Sequence, residues 1–213
     1  MIKLKICGVK SVDEAKLLRE SGVNLVGLNF VPESPRCITL EQAKAIMAVF
    51  KDSPVETVTL FRNQPADIVN DYTERLGVDY VQLHGDESAE YARSIKKPVI
   101  KAIAVKPDAP ADKLIEYIKN YPADYFVLDR HEQGRGDIIN TGLAAQIVKM
   151  FPNKIYLAGG LNPDNLAEVL SKVNPFGIDI ASGARTKDDS LDITKVIRCV
   201  DVIKSYNDRY GSD

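Results

Sequence analysis

Cys7, Arg36, His84 and Asp129, with the turns Gly159-Gly160 and Ser182-Gly183, are the residues of this chain whose types suit acid–base chemistry on a phosphorylated molecule. A positioned thiol or carboxylate can take a proton from carbon or give one to oxygen. A planar guanidinium suits bidentate recognition of a carboxylate. Glycine-rich turns let backbone N–H groups approach an anion, and a following helix N-terminus adds positive potential. Each residue also has a plain structural reading. Cys7 can be a small apolar filler at the end of a buried strand. Asp129 can cap a helix or pair with Arg130 or Arg135, and Arg36 can be a solvated charge. His84 can orient a loop, and the glycines can simply make tight turns. The decision rests on whether residues spread between positions 7 and 183 meet in one place.

The elements that carry them are legible as an alternation. Met1–Ile6 reads as a strand that runs into Cys7-Gly8, and Ser11 then opens a helix with Val12, Ala15, Leu17 and Leu18 at helical spacing up to Gly22. Further strands are predicted at Asn24–Leu28, Val55–Leu60, Val78–Leu83, Pro98–Ala104, Asp124–Leu128, Lys154–Leu157 and Phe176–Ile180. Helical patterns lie between them. Thr39 with Gln42 reads as a capping box ahead of a helix to Phe50. Pro65 suits a helix start, and the helix ends at Gly77. Shorter patterns cover Glu87–Ile95, Asp112–Asn120 and Gly142–Met150; Asn162-Pro163 is expected to cap the next helix, and the last lies near Ile193–Ser205.

Strict alternation of strand and helix predicts a parallel sheet. Eight units of roughly 27 residues over 213 predict a closed (β/α)8 TIM barrel, one α/β domain spanning residues 1–213. An open doubly wound sheet is the alternative. It favours a GxGxxG turn after the first strand, where this chain has Cys7-Gly8-Val9-Lys10. In a barrel the strand exits share one mouth. Cys7, residues 29–36, Arg62, His84, Asp129, Gly159-Gly160 and Ser182-Gly183 would then form one constellation. A thiol and a carboxylate beside a phosphate cradle imply proton transfer on a sugar phosphate.

Composition narrows the partners. Lys and Arg number 28 against 30 Asp and Glu, so no basic excess points to nucleic acid. No run of about 18 apolar residues could span a membrane, and the N-terminus lacks a signal-peptide core. The three cysteines, Cys7, Cys37 and Cys199, are widely spaced and outside any CxxC pattern. Reduced thiols in a cytoplasmic protein are expected, and His84 and His131 have no metal-ligand spacing.

The motifs Lys5–Gly8 (KICG), Gly27–Ile38 (GLNFVPESPRCI), Val81–Glu87 (VQLHGDE), Val127–Asp129 (VLD), Leu157–Asn165 (LAGGLNPDN) and Gly177–Gly183 (GIDIASG) run in order through nearly the whole chain. Together they resemble the phosphoribosylanthranilate isomerases of tryptophan biosynthesis. The resemblance implies a barrel that performs an Amadori rearrangement without cofactor or metal. It implies Cys7 as general base at sugar C2, Asp129 as general acid at the ring oxygen, and Arg36 as the holder of the anthranilate carboxylate. Gly159, Gly160, Ser182 and Gly183 would bind the phosphate, with His84 also against the small-molecule sugar-phosphate substrate. A thiol of ordinary pKa is only a few per cent ionised at pH 7. The base role therefore predicts a lowered pKa, with Lys5 or helix termini as the source. Asp129 needs burial or a negative neighbour to stay protonated.

The chain departs from that family twice. After the sixth strand it reads Gly134-Arg135-Gly136-Asp137 in place of a GGTG-type loop, and it has no tryptophan. After the eighth strand it reads Ala181-Ser182-Gly183-Ala184-Arg185 where the family usually has Ser-Ser-Gly-Val-Glu. Arg135 and Arg185 are read as either added anion contacts or solvated charges. Two other readings stay open: the related histidine-pathway isomerase, which carries aspartate at the first strand's end, and a divergent paralogue that binds or isomerises a different phosphorylated metabolite. Whether the protein is a monomer or a homodimer is not legible in the sequence.

Overall fold

A computed structural model describes residues 1–106, 108–130 and 139–211. Eight parallel strands close into a barrel in sequence order: β1 (Lys3–Cys7), β2 (Leu25–Asn29), β3 (Glu56–Phe61), β4 (Tyr80–Leu83), β5 (Val99–Val105), β6 (Tyr125–Arg130), β7 (Ile155–Leu157) and β8 (Gly177–Ile180). Among the described residues, eight helices alternate with them: α1 (Val12–Arg19), α2 (Leu40–Phe50), α3 (Ala66–Leu76), α4 (Ala89–Arg93), α5 (Ala111–Asn120), α6 (Thr141–Met150), α7 (Leu166–Lys172) and α8 (Ile193–Tyr210). The expected fold class is the one found. Among the described residues, no helix is long and apolar enough to cross a membrane.

The two faces of each strand build two cores. In β1, Leu4 and Ile6 point outward against the helices, joining Leu18, Val26, Leu28, Ile46 and Val81 in the main apolar layer. Inward residues Leu25, Val58, Ile100, Val127 and Tyr156 fill the barrel. Tyr80, Tyr125, Tyr156 and Phe176 pack ring against ring there. Gly177 makes that packing possible, because a Cβ there would lie 2.2 Å from the Tyr156 ring. The aromatic cluster fills the barrel away from the strand exits, where the polar residues gather.

Register closes the ring: Lys5 pairs with Leu25 on one side and with Asp179 on the other. Asn207 of α8 fastens the seam, its Oδ1 accepting from the Ile2 amide at 2.7 Å and its Nδ2 donating to the Ile2 carbonyl at 3.1 Å. That bond and the packing of Tyr206 carry α8 beyond the expected Ser205 to Tyr210. Thr39 and Gln42 form the expected capping box. The cap of α7 differs from expectation: Asn165, not Asn162-Pro163, occupies the N-cap. Asn162 instead shapes the turn, its Oδ1 accepting from the Asp164 amide at 2.9 Å. Helix α4 begins at Ala89 rather than Glu87, because Glu87 turns inward to bind the Gly85 amide and Lys101.

Candidate active site

At the strand exits lies a cavity of about 510 Å³ whose lining includes Cys7, Arg36, His84, Asp129, Gly159, Gly160, Ser182 and Gly183. Every site residue predicted from sequence therefore reaches one place, together with Asn29 and Arg62. Arg135 and His131 lie outside the described residues, as does most of the loop that departs after the sixth strand.

Cys7 ends β1, where the strand alternation turns it into the barrel. It is buried and packs beside Val31, Leu60 and Ala181. The space for its sulfur comes from Gly27 on the neighbouring strand, where a Cβ would sit 2.8 Å from Sγ. Beneath it lies a buried ion pair, Lys5 Nζ to Asp179 Oδ2 at 2.6 Å. The expectation of a lowered thiol pKa is not met. Burial pushes the Cys7 thiol up, and the opposing charges of Lys5 and Arg36 do not overcome it. Burial also works against the Lys5 ammonium, but Asp179 and Cys7 hold its pKa above the ordinary value. The second oxygen of Asp179, Oδ1, is buried without a hydrogen-bond partner among the described residues, and Asp179 lines the same cavity.

Asp129 lies within β6 rather than just beyond it. Its Oδ1 accepts from the Arg130 amide at 2.8 Å. Burial, with the nearby Asp179 charge, pushes its pKa up to about 6. The expected condition for a carboxyl acid is thus met by both routes. His84 stands beside it, Nε2 being 3.7 Å from Asp129 Oδ2. Burial first, then the charges of Lys5, Lys101 and Arg62, lower the imidazole to about 4, so it is neutral. With Gln82 Nε2 donating to His84 Nδ1 at 3.1 Å, the ring proton sits on Nε2 and faces Asp129.

The two turns differ in construction. Gly159 and Gly160 both have left-handed backbones, φ +86° and +75°. A Cβ on Gly159 would also crowd the Arg130 amide at 2.9 Å. Ser182–Ala184 forms a single 3-10 turn packed so closely that a Cβ on Gly183 would meet the Leu161 carbonyl oxygen at 1.9 Å. Both turns line the cavity, and glycine-bearing turns at the last strand exits are where barrel mouths commonly hold phosphate.

Arg36 is not a solvated charge: its Nη1 donates to Asp189 Oδ1 at 2.8 Å. Arg185 is neither solvated nor an anion contact. Its side chain is 1% exposed, and it binds Glu14 Oε1 at 3.0 Å and the Gly8 carbonyl. Sequence reasoning missed Gly27, Gln82, Asp179 and Asp189. A polar residue between two isoleucines, as in Ile178-Asp179-Ile180, was the available signal for Asp179. Among the described residues, no group of three or more His, Cys, Asp or Glu is placed to hold a metal ion, and the three cysteines are free thiols.

The Gly27 contact carries a prediction. Gly27→Ala is expected to displace the thiol and lower activity by about tenfold or more, since small misplacements of a reacting group are costly. Thermal unfolding measured alongside kcat checks that the loss exceeds any loss of fold.

The sequence model described as N-(5'-phosphoribosyl)anthranilate (PRA) isomerase matches residues 4–202. An N-(5'-phosphoribosyl)anthranilate isomerase of Pelobacter propionicus is 34% identical over 98% of this chain and 100% of its own length. The crystal structure of phosphoribosyl anthranilate isomerase from Thermus thermophilus superposes with a TM-score of 0.84 at 30% identity, covering 96% of this chain and 100% of that one. A further structure of such an isomerase, in complex with reduced 1-(o-carboxyphenylamino)-1-deoxyribulose 5-phosphate, gives a TM-score of 0.81 at 27% identity, over 96% of this chain and all of its own.

Proposed function

This chain belongs to the N-(5'-phosphoribosyl)anthranilate isomerase family, and on that premise we propose that it converts N-(5'-phosphoribosyl)anthranilate to 1-(2-carboxyphenylamino)-1-deoxyribulose 5-phosphate in tryptophan biosynthesis. The observation that carries the reading is the meeting of Cys7 from β1 and Asp129 from β6 in one cavity with two glycine-bearing turns. The phosphate would lie on Gly159-Gly160 and Ser182-Gly183. The aromatic ring would lie against Val31 and Leu60, with its carboxylate toward Arg36.

Asp129 gives its proton to the ribose ring oxygen as the C1–oxygen bond breaks, and the nitrogen lone pair forms the C1=N bond. The Cys7 thiolate then removes the proton at C2. The C–H electrons form C1=C2, the C=N electrons return to nitrogen, and the resulting enol-amine tautomerises to the ketone. His84 is neutral and faces Asp129 through Nε2, so it supports the carboxyl without competing for its proton.

The ionisation states make the pH profile specific. The productive free enzyme has Asp129 protonated and Cys7 ionised, and each is the minor form at neutral pH. Their product rises with pH up to about 6, stays level, and falls above the raised thiol pKa. In kcat/KM the break near 6 should disappear in Asp129→Asn, whose residual rate should go on rising with pH toward the raised thiol pKa. The primary test is a coupled fluorescence assay in which the substrate is generated in place and its loss followed. Rapid loss supports the assignment. No loss, under conditions where a known isomerase works, refutes it.

A further inference from the structure

Three cations converge on one carboxylate at the rim of the cavity. Asp189 sits in the loop between β8 and α8, which an antiparallel bridge between Arg185 and Leu191 closes. Its backbone is left-handed, φ +59°. Its Oδ1 accepts from Arg36 Nη1 at 2.8 Å, its Oδ2 from Lys10 Nζ at 3.0 Å, and its carbonyl from Arg185 Nη1 at 2.8 Å. Arg185 is itself anchored to Glu14. The stem of Arg36 lies across Gly8, where a Cβ would come within 2.5 Å of Cδ. Arg36 is therefore fixed at its stem and at one nitrogen, next to the residue that follows Cys7. Lys10, Arg36 and Arg185 against Glu14 and Asp189 leave one net positive charge.

We infer that Asp189 is a positioning residue that sets selectivity for a carboxylate-bearing substrate: it anchors Arg36 through Nη1, leaves the rest of the guanidinium for the ligand, and trims the cluster to the charge that one carboxylate neutralises. The inference rests on Arg36 as the carboxylate holder. An anchored guanidinium has less freedom to lose on binding, and its planar fork keeps a fixed direction. The unfavourable backbone at position 189 is tolerated by asparagine as well as aspartate, so Asp189→Asn removes the charge without changing the loop's conformational demand.

The test compares inhibition of the intact enzyme by two compounds: the reduced carboxyphenylamino deoxyribulose phosphate, and the same molecule without its carboxyl group. Wild type should prefer the first, and Arg36→Met should abolish the preference. Asp189→Asn should cut the preference by about tenfold, the scale of a hydrogen bond to a charged group. It should raise KM by a similar factor while kcat moves less than about twofold. An unchanged preference, with or without a drop in thermal stability, overturns the inference. So does a stronger preference, which would make Asp189 a competitor for Arg36. If Arg36→Met itself leaves the preference intact, the Arg36 reading fails and takes the inference with it. That outcome is read from a different variant and is not confused with failure at Asp189.

Discussion

Cys7→Ala is expected to lower kcat by about 10² to 10⁴, the usual contribution of one positioned acid or base, with KM nearly unchanged. Asp129→Asn should fall in the same range. Both substitutions keep the volume of the site close to native, and neither side chain supports the fold beyond local contacts. Cys7 touches Val31, Leu60 and Ala181. Asp129 accepts one amide proton through Oδ1, which the carboxamide oxygen of asparagine can still accept. The two variants differ in what remains. Cys7→Ala keeps the acid that opens the ring but lacks the base at C2. It should therefore release little of the substrate's C2 hydrogen to solvent, even in single turnovers. Asp129→Asn keeps the base but leaves the ring closed. The double variant should be no more than a few-fold worse than the poorer single one, because the two steps lie in one sequence. Single-turnover fluorescence with each purified variant measures this. Cys7→Ala at wild-type speed would remove the thiol from the mechanism.

The second large effect is on stability. Lys5 and Asp179 are an ion pair with side chains 1% and 7% exposed. Lys5→Met leaves Asp179 buried and uncompensated, and breaking a buried pair from one side costs about 3–5 kcal/mol. Asp179→Leu should cost about as much. The double variant, with an apolar pair of similar volume, should recover most of the loss, since replacing both partners is often neutral. Urea unfolding midpoints at constant slope measure the cycle. Two small single losses that add in the double variant would show that the pair is not coupled. Recovered stability should not bring recovered activity, because the floor beneath Cys7 would no longer carry charge.

Much of the fold was readable because the signal is local and repeated. Each strand needs only an apolar run and each helix only its spacing, and eight repeats of that pattern leave few topologies. The site residues predicted from sequence share the cavity because barrel closure places every strand exit at one mouth. What sequence could not supply was the second side of each contact. The ionisation of Cys7 depends on how deeply β1 is buried and on a carboxylate from β8. Lys5 beside a cysteine reads as an activator, yet most of its charge is spent on Asp179. Arg185 read as either an anion contact or a solvated charge because its partner Glu14 is 171 residues away. Gly27 is one residue of a predicted strand, and only the packed pair β1–β2 shows the thiol that lies against it. The misplaced cap at Asn162 has a local cause. Asn-Pro reads as a helix start, but the backbone makes one more turn before α7 begins.

The Lys5–Asp179 contact also bears on the order in which the protein is made. Its partners are 174 residues apart, and a ribosome adding about 5–20 residues each second needs roughly ten seconds or more to span that distance. During that interval Cys7 is a thiol in an open chain, with an ordinary pKa and free access to oxidants. Docking of β8 supplies the floor of charge and, together with burial, suppresses the thiolate. The step that completes the catalyst is thus also the one that ends the chemical vulnerability of its base. Alkylation of Cys7 on stalled chains of increasing length should drop sharply once β8 has cleared the ribosome.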